Sequence, residues 1–336
     1  MDLMEQVRAK AAANPQKVAF FEADDPKMME VVGELVKADL CECYIVGDGA
    51  TLAGVAEQVG VDLSKVNVVD ISDEEANEAF AVRFEAAPDC PFKSKAVRRR
   101  AKKPMDRCLM MQRIDDVDIT FGGLCCSTGD VIIGGQTIIG LADGIDTISS
   151  LGIFNIPGWD GSEGPLLGFG DAAVCVDPDP EQLASIAITS AETVHALLDW
   201  EPRVAMLSYS TDGSAESEKV DKVREAVRVA KERRPDLKID GEFQLDSAIR
   251  PEIAAKKVRR ESEVAGKANI IIWPDLNVGN VGVKLVQTFA HANAYGPMLQ
   301  GFKKIVCDCS RSAPVPEIVG NVVMSCVRAQ ALKEAE

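Results

Sequence analysis

The chain has 336 residues, 46% of them hydrophobic, and carries 53 acidic against 37 basic side chains for a net charge of −16. That length and apolar content favour two folded domains and argue against disorder. The negative charge argues against nucleic acid or an anionic membrane as partner, since both need a basic face, and no apolar run approaches the roughly 20 residues that span a bilayer. Met1 to Lys17 is polar and charged rather than a secretory signal, so a cytoplasmic location is expected. Any anionic substrate must meet local cations or backbone N–H groups, because the global field opposes it.

Taken in chain order, short apolar runs alternate with helical patterns. Lys17–Phe21 predicts a strand and Pro26–Ala38 a helix; Cys43–Val46 predicts the next strand, ending in Gly47-Asp-Gly49, and Val66–Val69 a third. Ala173–Val176 predicts a strand closed by Asp177-Pro-Asp-Pro180, with a helix over 181–198. Val204–Ser208 predicts a strand and 217–234 a charged helix whose Val220, Val223, Val227 and Ala230 share one apolar face. Asn269–Trp273 is a continuous apolar run, as in a strand covered on both faces. This β-α-β rhythm predicts mostly parallel sheets with helices on both sides. A boundary is expected near 142–150, where the residues turn small and polar.

Ten cysteines are present, with Cys41/Cys43 and Cys307/Cys309 spaced C-x-C and Cys125/Cys126 adjacent. Zinc sites favour C-x2-4-C spacing with histidines nearby, and the only histidines, His195 and His291, lie in unrelated contexts. No metal is therefore expected. Most of the cysteines read as buried small hydrophobes; Cys125, Cys126 and Cys309 differ in falling inside chemical motifs.

Four strand–loop–helix junctions carry those motifs. Gly122-Gly-Leu-Cys-Cys-Ser-Thr-Gly-Asp130 fits a helix start that offers N–H groups to an anion, and equally a plain N-cap with a flexible entry loop. Ser208-Tyr-Ser-Thr-Asp-Gly-Ser214 stands at a strand's carboxyl end, where open α/β sheets place ligands, though capping alone also explains its hydroxyls. Trp273 to Val286 resembles a loose phosphate cradle with Lys284 in the helix, without nucleotide-binding spacing. In the last, a short strand at Ile305-Val306 delivers Ser310 and Arg311 into a loop, and Glu317 follows in the first turn of a proline-started helix. A capped turn with a surface arginine is the simpler account of that one.

Several stretches together resemble the phosphotransacetylase (phosphate acetyltransferase/butyryltransferase) family, in family order and spacing. They are Arg203–Ser214, Arg234–Asp246, Lys267–Asn277, Gly279–Gln287 and Gly296–Gly301, supported by Phe21-Glu-Ala-Asp-Asp-Pro26 and Ile45-Val-Gly-Asp48. The resemblance implies a two-domain α/β fold similar to isocitrate and isopropylmalate dehydrogenases, with mostly parallel sheets and an interdomain cleft. Domain I is expected over 1–147 plus 297–336 and domain II over 148–296. It also implies a homodimer, acyl transfer between acyl phosphate and coenzyme A in a ternary complex, and no cofactor, coenzyme A being a substrate. By motif, the family's serine–arginine pair falls on Ser310 and Arg311, and its later aspartate on Glu317, a longer carboxylate. Ser310 is implied to hydrogen-bond the thiol or carbonyl, Arg311 to hold an anionic group, and Glu317 to take the thiol proton. Ser127, Thr128, Ser210, Thr211, Asn277, Gly279 and Lys284 are implied to bind substrate. Two departures stand out: Ile133 occupies a family arginine position, and an arginine-lysine-histidine stretch is replaced by the basic cluster Arg98–Lys103. These departures give the alternative of a non-catalytic, coenzyme A-binding or regulatory paralogue. A nicotinamide-linked dehydrogenase ranks behind it for want of a dinucleotide fingerprint, and an acyl-enzyme route through Cys125, Cys126 or Cys309 lacks a neighbouring histidine.

Overall fold

The computed structural model describes residues 3–335. The chain forms two compact units. One runs from the start of the chain to Gly140 and resumes from Phe302 to the end; the other is Leu141–Gly301. The crossings thus fall at 140/141 and 301/302 rather than at 147/148 and 296/297. The reason is local pairing: Ala142 donates to the Gly301 carbonyl, Asp146 donates to the Ser185 hydroxyl, and the last strand of the second unit continues to Gln300.

The first unit opens with α1 (Leu3–Ala13), β1 (Lys17–Phe20), α2 (Pro26–Lys37), β2 (Glu42–Gly47), α3 (Gly49–Val59) and β3 (Asn67–Asp70). It continues with α4 (Glu74–Glu85), α5 (Ser94–Ala101), α6 (Pro104–Arg113), β4 (Ile119–Gly122) and α7 (Thr128–Ile138). The second unit contains β5 (Ser149–Asn155), β6 (Leu166–Gly170), α8 (Pro180–Leu198), β7 (Arg203–Leu207), α9 (Glu218–Arg233) and β8 (Lys238–Phe243). After them come α10 (Leu245–Ile249), α11 (Pro251–Lys257), β9 (Ile270–Ile272), α12 (Leu276–Phe289) and β10 (Asn293–Gln300). The chain then returns to the first unit with β11 (Ile305–Asp308) and α13 (Val315–Ala335).

The first unit's five-stranded sheet has the order β11-β4-β1-β2-β3 and is parallel throughout. Its strands read as near-continuous apolar runs because helices cover both faces. Register decides what lies at the carboxyl edge. Val18 pairs with Ile119, and Ile119 with Ile305, so Gly122 stands opposite Asp308. The loops after β1, β4 and β11 therefore leave the sheet side by side.

The second unit's six-stranded sheet has the order β10-β5-β6-β9-β7-β8. Its β6-β9-β7-β8 portion is parallel, and β5 pairs antiparallel with both β6 and β10. The apolar face of α9 is as predicted: Val220, Val223, Val227 and Ala230 are all buried, worth roughly 1.5–3 kcal/mol for each fully buried valine. The predicted strand at Ala173–Val176 is absent. Asp171 explains why, since its carboxylate accepts the backbone N–H groups of Ala173, Val174 and Cys175. Donors captured in that way are lost to a sheet ladder, whatever the β-propensity of the side chains.

Candidate active site

Within the first unit, three adjacent strand ends build one constellation. Residue 22 follows β1, and its carboxylate is buried (5% exposed). It accepts four successive backbone N–H groups of the loop after β4: Gly123 at 2.7 Å, Leu124 at 2.6 Å, Cys125 at 3.0 Å and Cys126 at 2.8 Å. The anion held by the N–H groups of residues 123–126 is thus the protein's own Glu22. Two glycines permit the arrangement. A Cβ on Gly122 would lie 2.2 Å from the Phe21 ring, and Gly123 has φ +115° with Cys309 N only 2.8 Å from where its Cβ would stand.

Arg311 grips the same loop from its carbonyl side. Its Nε donates to the Leu124 carbonyl at 2.8 Å and its Nη2 to the Cys125 carbonyl at 3.1 Å. Nη1 has no partner among the described residues. Lys27 donates from Nζ to the carbonyls of Arg311 and Ala313, fixing the turn that carries the arginine. The Ser310 and Ser312 hydroxyls lie 3.0 Å apart, and both residues are exposed. Glu317 is exposed in the first turn of α13.

Ser127 caps α7 in a reciprocal box with Asp130, whose carboxyl is held below its ordinary range by the Ser127 hydroxyl and N–H. Thr128 donates to Asp308 at 2.5 Å, and burial pushes the Asp308 carboxyl up. The structure therefore brings Ser127, Thr128, Ser310 and Arg311 to one sheet edge. Cys125, Cys126 and Cys309 share that edge as thiols rather than thiolates. Burial, with Glu22 next, raises the Cys125 pKa, takes Cys126 to about 11 and takes Cys309 to about 12. This disfavours them as nucleophiles at neutral pH.

The remaining predicted residues belong to the second unit. Ser210 and Thr211 are buried, and their hydroxyls serve the fold: Ser210 donates to Glu242 at 2.8 Å, and Thr211 accepts the Gln244 N–H at 2.9 Å. As they stand these hydroxyls hold the turn that follows β7. Gly279 is likewise a packing glycine, since a Cβ there would lie 2.4 Å from the Asp171 carbonyl. Asn277 and Lys284 are exposed on α12, whose first turn is capped by Asp275 through the Val278 N–H.

The sequence matches the family described as phosphate acetyl/butaryl transferase over residues 2–326. It is 39% identical to a phosphate acetyltransferase of Clostridium acetobutylicum over 98% of this chain and 99% of that protein. Against a phosphate acetyltransferase of Thermoanaerobacterium thermosaccharolyticum it is 36% identical, covering 98% and 100%. A crystal structure of a phosphotransacetylase from Streptococcus pyogenes superposes with a TM-score of 0.87 at 31% identity, covering 98% of both chains. The chain belongs to this family. It is an acyltransferase, and the family's reaction passes an acyl group between acyl phosphate and coenzyme A.

A cavity of about 560 Å³ in the first unit is lined by Phe21, Arg100, Lys103, Met105, Cys126 and Ile133, among others. Arg100 and Lys103 of the basic cluster thus share one cavity with Ile133. Ile133 is 64% exposed. Arg100 is oriented by Asp106, at 3.1 Å from Nη1, and by the Phe92 ring, 4.5 Å from the guanidinium carbon. The signal was present as the Arg98–Lys103 cluster, but only the fold selects Arg100 and Lys103 from it.

Proposed function

We propose that Ser310 and Arg311, backed by Ser127 and Thr128, form the reacting end of a phosphate acyltransferase site for acetyl or another short acyl group. The convergence of Arg311 with the Gly122–Thr128 loop is the observation that carries this reading. A coenzyme A thiol with pKa near 8.5 is mostly protonated at neutral pH and needs a base. Glu317 takes that proton, the thiolate attacks the acyl carbonyl, and phosphate leaves. Ser310 donates to the thiol sulfur or the carbonyl oxygen, and the free Nη1 edge of Arg311 meets an anionic group of a substrate. Arg100 and Lys103 supply positive charge beside Ile133, where the family arginine is missing. Coenzyme A enters as a substrate, and no further cofactor takes part.

The proposal extends to the surroundings of the site. The discontinuous first unit and the parallel core of each sheet support an architecture like that of the isocitrate and isopropylmalate dehydrogenases. Among the described residues no helix is long and apolar enough to cross a membrane, and the working location is the cytoplasm. The protein works as a homodimer through α12. Val278, Val281, Leu285 and Phe289 form an exposed stripe there, with Phe289 77% exposed. Lys284 is the only charged residue of that helix. In a chain of net charge −16, a helix without acidic residues lets two copies meet without bringing carboxylates together.

The test is coenzyme A-dependent phosphate release from acetyl, propionyl and butyryl phosphate by purified protein, beside Arg311→Ala. Turnover that collapses in the variant supports the reading, and the preferred chain length names the substrate. A folded protein that binds coenzyme A yet turns over none of the three would instead be the non-catalytic paralogue that the Ile133 departure raises.

A further inference from the structure

Arg311 and Glu22 do not touch, yet the same two peptide groups join them. The Leu124 carbonyl and the Cys125 N–H belong to one peptide plane; the carbonyl accepts from Arg311 Nε and the N–H donates to Glu22 Oε1. The next plane repeats the pattern, with the Cys125 carbonyl accepting from Arg311 Nη2 and the Cys126 N–H donating to the same Glu22 oxygen. A trans peptide points its C=O and N–H in opposite directions. Each plane is therefore polarised along one line, with a cation at its oxygen end and an anion at its nitrogen end. Hydrogen bonds in series of this kind strengthen one another, most of all away from water.

We infer that Glu22 is a positioning residue for Arg311, acting through the peptide planes 124–125 and 125–126. This rests on the reading of Arg311 given under Proposed function. Gly123 and Leu124 also donate to Glu22, through its other oxygen, so both carboxylate oxygens are engaged and the loop has no freedom to turn its carbonyls away. The guanidinium is held on two fixed carbonyls, which aims its remaining edge. Without the carboxylate, four N–H groups lose their acceptor, and the carbonyls that hold Arg311 lose their orientation.

Two measurements test this. Hydrogen exchange of the 122–128 segment is compared in wild type, Arg311→Ala and Glu22→Gln. Arg311 is exposed and touches only the carbonyl side, yet its removal is expected to speed exchange of the 123–126 amides by about tenfold or more, because the relay is reciprocal. Unchanged exchange in Arg311→Ala overturns the coupling, and this arm stands even if Glu22→Gln fails to fold. Steady-state kinetics of folded Glu22→Gln supply the second readout. It is expected to raise the KM of the same substrate that Arg311→Lys affects, on the order of 10-fold or more, and to leave the other KM unmoved. A lowered melting temperature with both KM values unchanged would mean that Glu22 serves stability alone, and overturns the inference. If Arg311→Lys changes neither kcat nor either KM, the reading of Arg311 itself fails, whatever the exchange data show.

Discussion

Thr128 donates its hydroxyl to a carboxylate oxygen of Asp308 across 2.5 Å, joining the first turn of α7 to the end of β11. The bond ties the loop that carries Ser127 to the loop that carries Ser310 and Arg311. Burial raises the Asp308 carboxyl above its ordinary 3.8, and the Thr128 bond offsets this only in part. A raised folded pKa gives stability that is present below the unfolded value and lost as pH rises through the folded one. Asp308→Asn lacks that slope. The stability of the variant relative to wild type is therefore expected to increase from pH 3 upward and level off above the shifted pKa. Urea midpoints of both proteins between pH 3 and 7 check it; a constant difference would contradict the raised pKa.

Glu242 gives the opposite sign. Burial pushes its carboxyl up, but Arg224, the Gly213 N–H and the Ser210 hydroxyl together bring it below its ordinary range. Its contribution is present above the unfolded value of about 4.5 and lost as pH falls through the lowered folded pKa. Glu242→Gln is expected to cost about 1–3 kcal/mol at pH 7, less than a fully buried pair, because Arg224 is 34% exposed and regains water. The cost should shrink when the same urea titration is repeated near pH 3. An equal loss at both pH values would assign the effect to packing.

These two carboxylates show where the sequence was legible. The strand–loop–helix junctions could be read because their signals are local: Ser127 and Asp130 lie three residues apart, and Pro180 and Val220 mark helices by position and period. Glu22 is not legible as an anchor, because its partners lie 101 to 104 residues away and a sequence does not show which N–H groups a carboxylate accepts. Ser210 and Thr211 stand out through their motif at a strand's carboxyl end, while their hydrogen-bond partners Glu242 and Gln244 lie some 32 and 33 residues on. The apolar run Ala173–Val176 carried strand propensity, and Asp171 overrode it with side-chain hydrogen bonds. Side-chain identity was legible; which backbone groups a carboxylate claims was not.

The thiols at the site edge make a separate prediction. Cys125→Ala, Cys126→Ala and Cys309→Ala should each retain activity within a factor of about three, since the Cys125 thiol is raised above its ordinary value, and Cys126 at about 11 and Cys309 at about 12 supply little thiolate at pH 7. Initial rates with each variant decide it. A loss of about 100-fold or more in any one would reinstate an acyl-enzyme route through that sulfur.

Arg311→Lys tests geometry against charge. Lysine keeps the positive charge but presents a single ammonium, so it cannot hold the Leu124 and Cys125 carbonyls while offering a further edge to a substrate. A fall in kcat/KM of about 10- to 100-fold is expected, in line with the loss of one to two charge-assisted hydrogen bonds. The melting temperature should move little, because the side chain is exposed. Full activity in Arg311→Lys would mean that neither the fork on the two carbonyls nor the remaining guanidinium edge is needed, and the reading of Arg311 would fail.

The apolar stripe on α12 predicts an assembly that single substitutions take apart. Leu285 is 50% and Phe289 77% exposed, so replacing either by glutamate leaves the second unit's core intact while placing charge in the proposed interface. That core contacts α12 through Val283 and, at its margin, Val286. In a two-fold interface each substitution is met twice, which places two like charges close together in a chain already at −16. Sedimentation equilibrium is expected to give a dimer for wild type and a monomer for Leu285→Glu and Phe289→Glu, with circular dichroism unchanged. A wild-type monomer, or a dimer that survives both substitutions, would remove α12 as the interface and leave the stripe without an assigned partner.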